Sequence, residues 1–194
     1  MKIQVENIVL PEGEFNCELQ FFDKSDVPQL RALYDQWNQL SSLLEEHGGR
    51  RLNIPELISE AIYCLNFESG RKLNFKTGNK VKNKIKGANT SFDCFNIKTQ
   101  KRIQVKACSV ESDLTSFGPK SVWDEIYFVH FFPNNKYDGS YDIYLINNED
   151  IYNHKVNKNQ TLREQQKAGK RPRFSIIDAL IKPNNIKPII SSKL

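Results

Sequence analysis

At 194 residues, with 39% hydrophobic and 26% charged side chains, the chain is long enough to bury a core and too apolar to be disordered. No apolar run approaches the roughly 18 residues that a membrane span needs, and Met1-Lys2-Ile3-Gln4-Val5-Glu6 lacks the apolar centre of a secretory signal. The four cysteines, Cys17, Cys64, Cys94 and Cys108, stand far apart without a C-x-x-C pair, which argues against zinc and a disulfide framework and makes a reducing cytoplasm the expected setting. The net charge of +5 is unevenly spread: residues 71–106 hold eleven Lys or Arg against the single acid Asp93, residues 151–194 hold ten against Glu164 and Asp178, and the remainder is acidic. Two basic segments, 71–86 and 151–194, on an acidic body read as a footprint for a polyanion, or else as two solvated lysine-rich faces. Neither carries the wide apolar stripe of an interfacial helix, so an anionic membrane is disfavoured as the partner.

In chain order, residues 3–10 and 15–21 read as strands split by the turn Pro11-Glu12-Gly13. A long helix starts near Ser25 or Asp26, with Pro28 in its first turn, and ends at Gly48-Gly49. Its face of Leu30, Leu33, Tyr34, Trp37, Leu40 and Leu44 is expected in the core or in a dimer interface. A second helix is expected over 55–66, with Asn53 and Glu56 as a capping box, a buried stripe of Leu57, Ile58, Ala61, Ile62 and Leu65, and Glu60 at its margin. Residues 69–87, dense in lysine, read as a loop. The runs 91–97 and 102–110 read as a hairpin, and 126–132 and 141–146 as further strands. Thr161 and Glu164 cap a short helix ending at Gly169, Lys170-Arg171-Pro172-Arg173 follows as an extended link, and Ser175 caps a last short helix. Strands, two helices, strands and helices in this order imply one α+β (mixed α/β) domain over 1–194, with a central mixed sheet flanked by helices.

The chemistry is concentrated in that hairpin. Alternation puts Gln104 and Lys106 on one face of their strand, with Ile103, Val105 and Ala107 toward the core. Asp93 on the neighbouring strand then meets them, so that a carboxylate, an amide oxygen and an ammonium converge at one sheet edge. Such a group suits phosphodiester hydrolysis with magnesium, which takes hard oxygen ligands and neutralises phosphate charge. Asp93, Gln104 and the Val105 carbonyl are the expected ligands, and Lys106 the group that holds the attacking water or stabilises developing charge.

Asp93, a short hairpin and Gln104-Val105-Lys106 together resemble the motif of the PD-(D/E)XK nucleases, with Gln in place of the usual Glu and Phe92 where the motif has Pro. Residues 87–93, 102–109, 114–120 and 152–176 further resemble a small family of bacterial type II restriction endonucleases that cut the five-base site GCNGC, and the similarity covers most of the chain outside the insert at 76–86. The resemblance implies a PD-(D/E)XK core, Mg2+ as cofactor with Mn2+ able to substitute, double-stranded DNA as partner, a homodimer, and a cognate DNA methyltransferase as genetic partner. It also implies that a glutamate on the helix before the hairpin approaches the metal. Glu60 fits by position, with a solvent-facing glutamate beside Glu56 as the alternative.

Guanine is read by Arg or Lys in the major groove. Arg163, Lys167, Lys170, Arg171 and Arg173, with the amide of Gln160, are therefore expected at DNA, and Arg171-Pro172-Arg173 is the sharpest candidate for base reading because proline stiffens it. Phosphate contact is the alternative role for each of them. Lys80, Lys82, Lys84 and Lys86 are expected at phosphates only, and Ser116 and Lys120 are expected to bind DNA as well. Two other functions fit the same residues: a repair or recombination nuclease on this fold, and a non-catalytic DNA-binding protein in which Gln104 marks a decayed site.

Overall fold

The computed structural model describes residues 1–77, 80–82, 84–85, 89–110, 113–133 and 135–194. The first two strands, β1 (Lys2–Leu10) and β2 (Gly13–Phe21), form an antiparallel hairpin in which Leu10 pairs with Gly13. The tight reversal over Pro11-Glu12 needs φ +136° at Gly13, a conformation that L side chains rarely adopt. A short 3-10 turn at Lys24–Asp26 leads into α1 (Val27–Glu46). Buried Asp26 at its start receives the Met1 amino group and the Asp23 N–H.

Helix α1 buries Leu30, Tyr34, Trp37 and Ser41. The stripe is narrower than the sequence implies: Leu33 and Leu40 are 37% and 51% exposed. Trp37 Nε1 lies 3.2 and 3.1 Å from the carbonyls of Leu52 and Asn53, which fixes the entry to α2 (Glu56–Asn66). The expected Asn53–Glu56 capping box is not formed. The helix begins at Glu56 with Pro55 at its N-cap, two residues too late for Asn53 to serve.

Within the segment 69–87, expected to be a loop, the described residues include two strands: β3 (Ser69–Thr77) runs between β2 and the hairpin that follows Asp93, and β4 (Lys80–Lys82) folds back on it. Buried Phe75 and the main-chain ladder outweigh the lysine-rich composition that suggested a loop. The remaining strands are β5 (Cys94–Asn96), β6 (Lys101–Cys108), β7 (Thr115–Ser116), β8 (Glu125–His130), β9 (Ser140–Ile146), β10 (Arg173–Phe174) and β11 (Ile190–Lys193). Two short helices, α3 (Asn148–Asn153) and α4 (Leu162–Lys167), separate β9 from β10. The Thr161–Glu164 capping box of α4 forms as expected, whereas the last turn, Ile177–Ile181, is π-helical.

The main sheet has the order β1-β2-β3-β5-β6-β8-β9-β11, with β4 beside β3. Among the described residues only the β6–β8 pairing is parallel, so the fold is α+β around a mixed sheet. The sheet curls: Val9 N on β1 donates to Gln100 Oε1 in the β5–β6 turn. The centre of β8, Ile126–Val129, is apolar and buried because both its faces are covered. Tyr127 and Val129 pack with α1 and α2, while Ile126 and Phe128 pack with Leu162, Phe174 and Leu180. A third core inside the curl joins Ile8, Leu19, Phe75, Phe92 and Phe95. Among the described residues no helix is long and apolar enough to cross a membrane.

Candidate active site

Strand β5 pairs with β6 only as far as Cys94 opposite Ile103. Beyond that point one edge of β6 is open, and Asp93 sits at the junction. Its N–H donates to the Ile103 carbonyl at 2.9 Å, and its own carbonyl accepts from Lys72 N on β3, also at 2.9 Å. These two bonds fix the backbone on either side of the carboxylate. Asp93 Oδ2 then accepts the Val105 N–H at 2.9 Å and the Gln104 side-chain N–H. A residue's N–H and C=O leave a strand on the same side, so the Val105 carbonyl also faces this open edge.

The residues straddle the sheet. Ile103 and Val105 pack into the core under α2, so Gln104 and Lys106 project from the other face. Gln104 is 3% exposed and lies against Asp93. Glu60 comes from α2, on the side of Val105. It is 7% exposed, and its Oε2 lies 2.5 Å from Arg71 Nε. The solvent-facing alternative for Glu60 is thereby excluded. Glu60, Asp93, Val105 and Lys106 share one cleft of about 300 Å³ with Glu56, Asp113, Ser116 and Arg171.

Electrostatically the cleft is under tension. Burial, and then the charge of Asp93, push the Glu60 carboxyl up from its ordinary range despite Arg71. Burial likewise raises Asp93, against the pull of Lys106, the Val105 N–H and Lys72. Two buried carboxylates that repel one another are a fit donor pair for a divalent cation, which would relieve the repulsion. Among the described residues no group of three or more His, Cys, Asp or Glu gathers to hold a metal. A cation here would therefore draw its other ligands from the Val105 carbonyl, the Gln104 amide oxygen, water and phosphate, as magnesium ordinarily does.

A model of the family described as Bsp6I restriction endonuclease matches residues 22–183. The chain belongs to that family. The type II restriction enzyme Bsp6I of Bacillus sp. (strain RFL6) is 36% identical to it over 175 residues, covering 89% of this chain and 90% of that enzyme. No solved structure matches. Membership in the Bsp6I family makes the protein a type II restriction endonuclease, with DNA as its substrate.

The basic residues of this Bsp6I-family chain divide by location. Arg71 and Lys72, which composition grouped with the lysine-rich insert, are drawn in behind the cleft, and Lys76 pairs with Glu18. Lys72 Nζ donates to the Thr90 carbonyl and lies 4.8 Å over the Phe92 ring, so it braces the segment that carries Asp93. Sequence reasoning missed both roles; the one signal was the period-2 pair Leu73 and Phe75 among the cations. Lys80, Lys82 and Lys84 are exposed, whereas Lys86 lies outside the described residues. Lys120 is exposed, and its carbonyl accepts from Asn89. Arg163 is engaged within the fold, 3.0 Å from Glu149 and 4.8 Å over Tyr152. Gln160 is half-buried, Lys167 and Lys170 are exposed, and Arg173 is exposed on β10 opposite Ser116. Arg171 alone of the C-terminal basic residues lines the cleft.

Proposed function

We propose that the cleft hydrolyses phosphodiester bonds of double-stranded DNA at a short palindromic G/C-rich site, GCNGC, leaving 5′-phosphate and 3′-hydroxyl ends, with Mg2+ as cofactor and Mn2+ able to substitute. The observation that carries the reading is the meeting of Asp93, Glu60 and Lys106 in one cleft at the open edge of β6. The resemblance set out from the sequence supports the site cut.

Asp93 and Glu60, with the Val105 carbonyl and the Gln104 amide, would hold the cation. When bound it supplies charge neutralisation at the phosphate and a more acidic water. Lys106 needs no cation to be in place. Its ammonium opens on the cleft beside Asp93, where it orients the attacking water or donates to a non-bridging phosphate oxygen. Burial of Gln104 and its contact with Asp93 hold the carboxylate in one orientation, which lowers the reorganisation required during reaction. A palindrome is read economically by two copies related by a twofold axis. The reading thus includes a homodimer, for which exposed Leu33, Leu40 and Leu43 on α1 are available. It also includes a DNA methyltransferase that protects the host site.

Plasmid digestion tests the proposal. With Mg2+ or Mn2+, discrete fragments ending at GCNGC are expected, and none with EDTA. Structure-dependent nicking would indicate a repair-type nuclease, and a mobility shift without cleavage a non-catalytic DNA-binding protein.

A further inference from the structure

Arg171 and Arg173 look interchangeable in the sequence, and the fold separates them. The strap that carries them is fastened to the cleft wall by its main chain. Pro172 O accepts the Phe117 N–H at 3.0 Å, and Arg173–Phe174 pair with Thr115–Ser116. Beneath the strap, the Phe174 ring stacks on Phe117 at 5.2 Å, and His154 lies 4.2 Å from Phe174. Pro172 and Phe174 are buried, and the alternation turns both arginines outward. Of the two, only Arg171 lines the cleft that holds Asp93 and Lys106.

The charges of that cleft give Arg171 its meaning. Among the described residues four carboxylates line it, Glu56, Glu60, Asp93 and Asp113, against two cations, Lys106 and Arg171. Lys106 already acts on Asp93. The exposed Arg171 guanidinium has no carboxylate or hydrogen-bond partner among the described residues. An uncommitted guanidinium at the mouth of an acidic cleft is suited to an incoming phosphate, because its planar fork matches two non-bridging oxygens. Arg173, by contrast, lies outside the cleft.

Resting on the endonuclease reading above, we propose that Arg171 is a catalytic residue that grips the scissile phosphate, and that it does not read bases. Its fork holds the phosphate in the cleft with Lys106 and offsets the repulsion exerted on it by the lining carboxylates, of which Glu60 is already paired with Arg71. The division of labour follows: Arg171 serves the phosphate that is cut, and sequence discrimination resides in Arg173 and its neighbours.

The test removes the partner charge from the DNA. In duplexes carrying the site, each phosphate in turn is replaced by an uncharged methylphosphonate, the scissile one being known from the wild-type fragment ends. Binding is measured in EDTA, and cleavage of the unmodified duplex in single turnover. For the wild type, neutralising the scissile phosphate should weaken binding by about tenfold or more, as expected for a charge-assisted bond. In Arg171→Ala that penalty should fall below about twofold while the preference for the cognate sequence is kept, and the cleavage rate should drop by about 10²-fold. Arg171→Lys should keep part of the penalty, and Arg173→Ala all of it. The proposal is overturned if the penalty persists in Arg171→Ala, if wild type shows none, or if Arg171→Ala loses sequence preference at an unchanged cleavage rate. Wild-type protein that cuts no DNA with Mg2+ or Mn2+ would instead remove the endonuclease reading on which it rests.

Discussion

Arg71 Nε lies 2.5 Å from Glu60 Oε2, joining β3 to α2 beside the Asp93 carboxylate. Both side chains are largely buried, at 22% and 9% exposed. Removing the cation alone leaves the largely buried Glu60 carboxyl without its partner. Arg71→Ala should therefore destabilise the fold by roughly 2–4 kcal/mol, below the full cost of breaking a wholly buried pair because Arg71 keeps some contact with solvent. Adding Glu60→Gln should recover part of the loss. Urea unfolding of the two single variants and the double variant checks this, and strictly additive losses would show that the two groups do not interact.

Asp93 is expected to be costly for stability and necessary for cleavage. Its charge raises Glu60, and the two repel inside the protein. Asp93→Asn keeps an oxygen for the Val105 N–H and removes the charge. In metal-free buffer it should melt no lower than wild type, and higher by about 2–4 °C for each kcal/mol of repulsion relieved, while cleavage is lost. Lys106→Ala should fold normally and cut at least about 10²-fold more slowly. A near-wild-type rate for either variant removes that residue from the centre.

Much of the active hairpin was legible in the sequence, and the physical reason is local. The run 102–106 alternates with period 2, and its turn is short, so one register brings Asp93 to Gln104 and Lys106. The cap at Thr161 and Glu164 was readable too, whereas the one expected at Asn53 and Glu56 did not form because α2 starts two residues too late. Long-range packing was not. Glu60 becomes buried only because β3 places Arg71 beneath α2, and β3 itself was hidden by a composition that looks like loop. Arg171 reaches the cleft only through the β7–β10 pairing, which spans more than fifty residues of sequence. The exposed half of α1 misled for another reason. Helical periodicity marks a face as apolar without saying what covers it, and Leu33 and Leu40 remain on the surface.

The exposed lysines of the β3–β4 ribbon should contribute affinity without selectivity. Lys80 and Lys82 lie on β4, and Lys84 follows. Each phosphate contact they make releases counterions, steepening the slope of log K against log salt by about 0.9. Changing Lys80, Lys82 and Lys84 to Gln, together with Lys86, should flatten that slope and leave the site cut unchanged. Binding isotherms across a salt series measure it, and an unchanged slope returns these lysines to the solvated surface.

Gln104 offers a neutral oxygen where a carboxylate would add charge. Gln104→Glu should raise metal affinity in the free protein and shift the metal dependence of cleavage without abolishing it. The added acid would lie against Asp93, so the variant should also be less stable than wild type when metal is absent. Thermal melts with and without Mn2+ read both effects, and a variant indifferent to Mn2+ would contradict them.

On the proposed reading, Asp93 anchors a divalent cation in a cleft completed by DNA phosphate. Isothermal calorimetry of Mn2+ binding tests it most directly, using wild type and Asp93→Asn, each alone and with a duplex made uncleavable at the scissile bond. Wild type should bind Mn2+ weakly alone and far more tightly with the duplex, because phosphate is then a further anionic ligand, and Asp93→Asn should bind weakly in both cases. Tight binding by wild type without DNA, or binding by Asp93→Asn equal to wild type with DNA, would contradict the account.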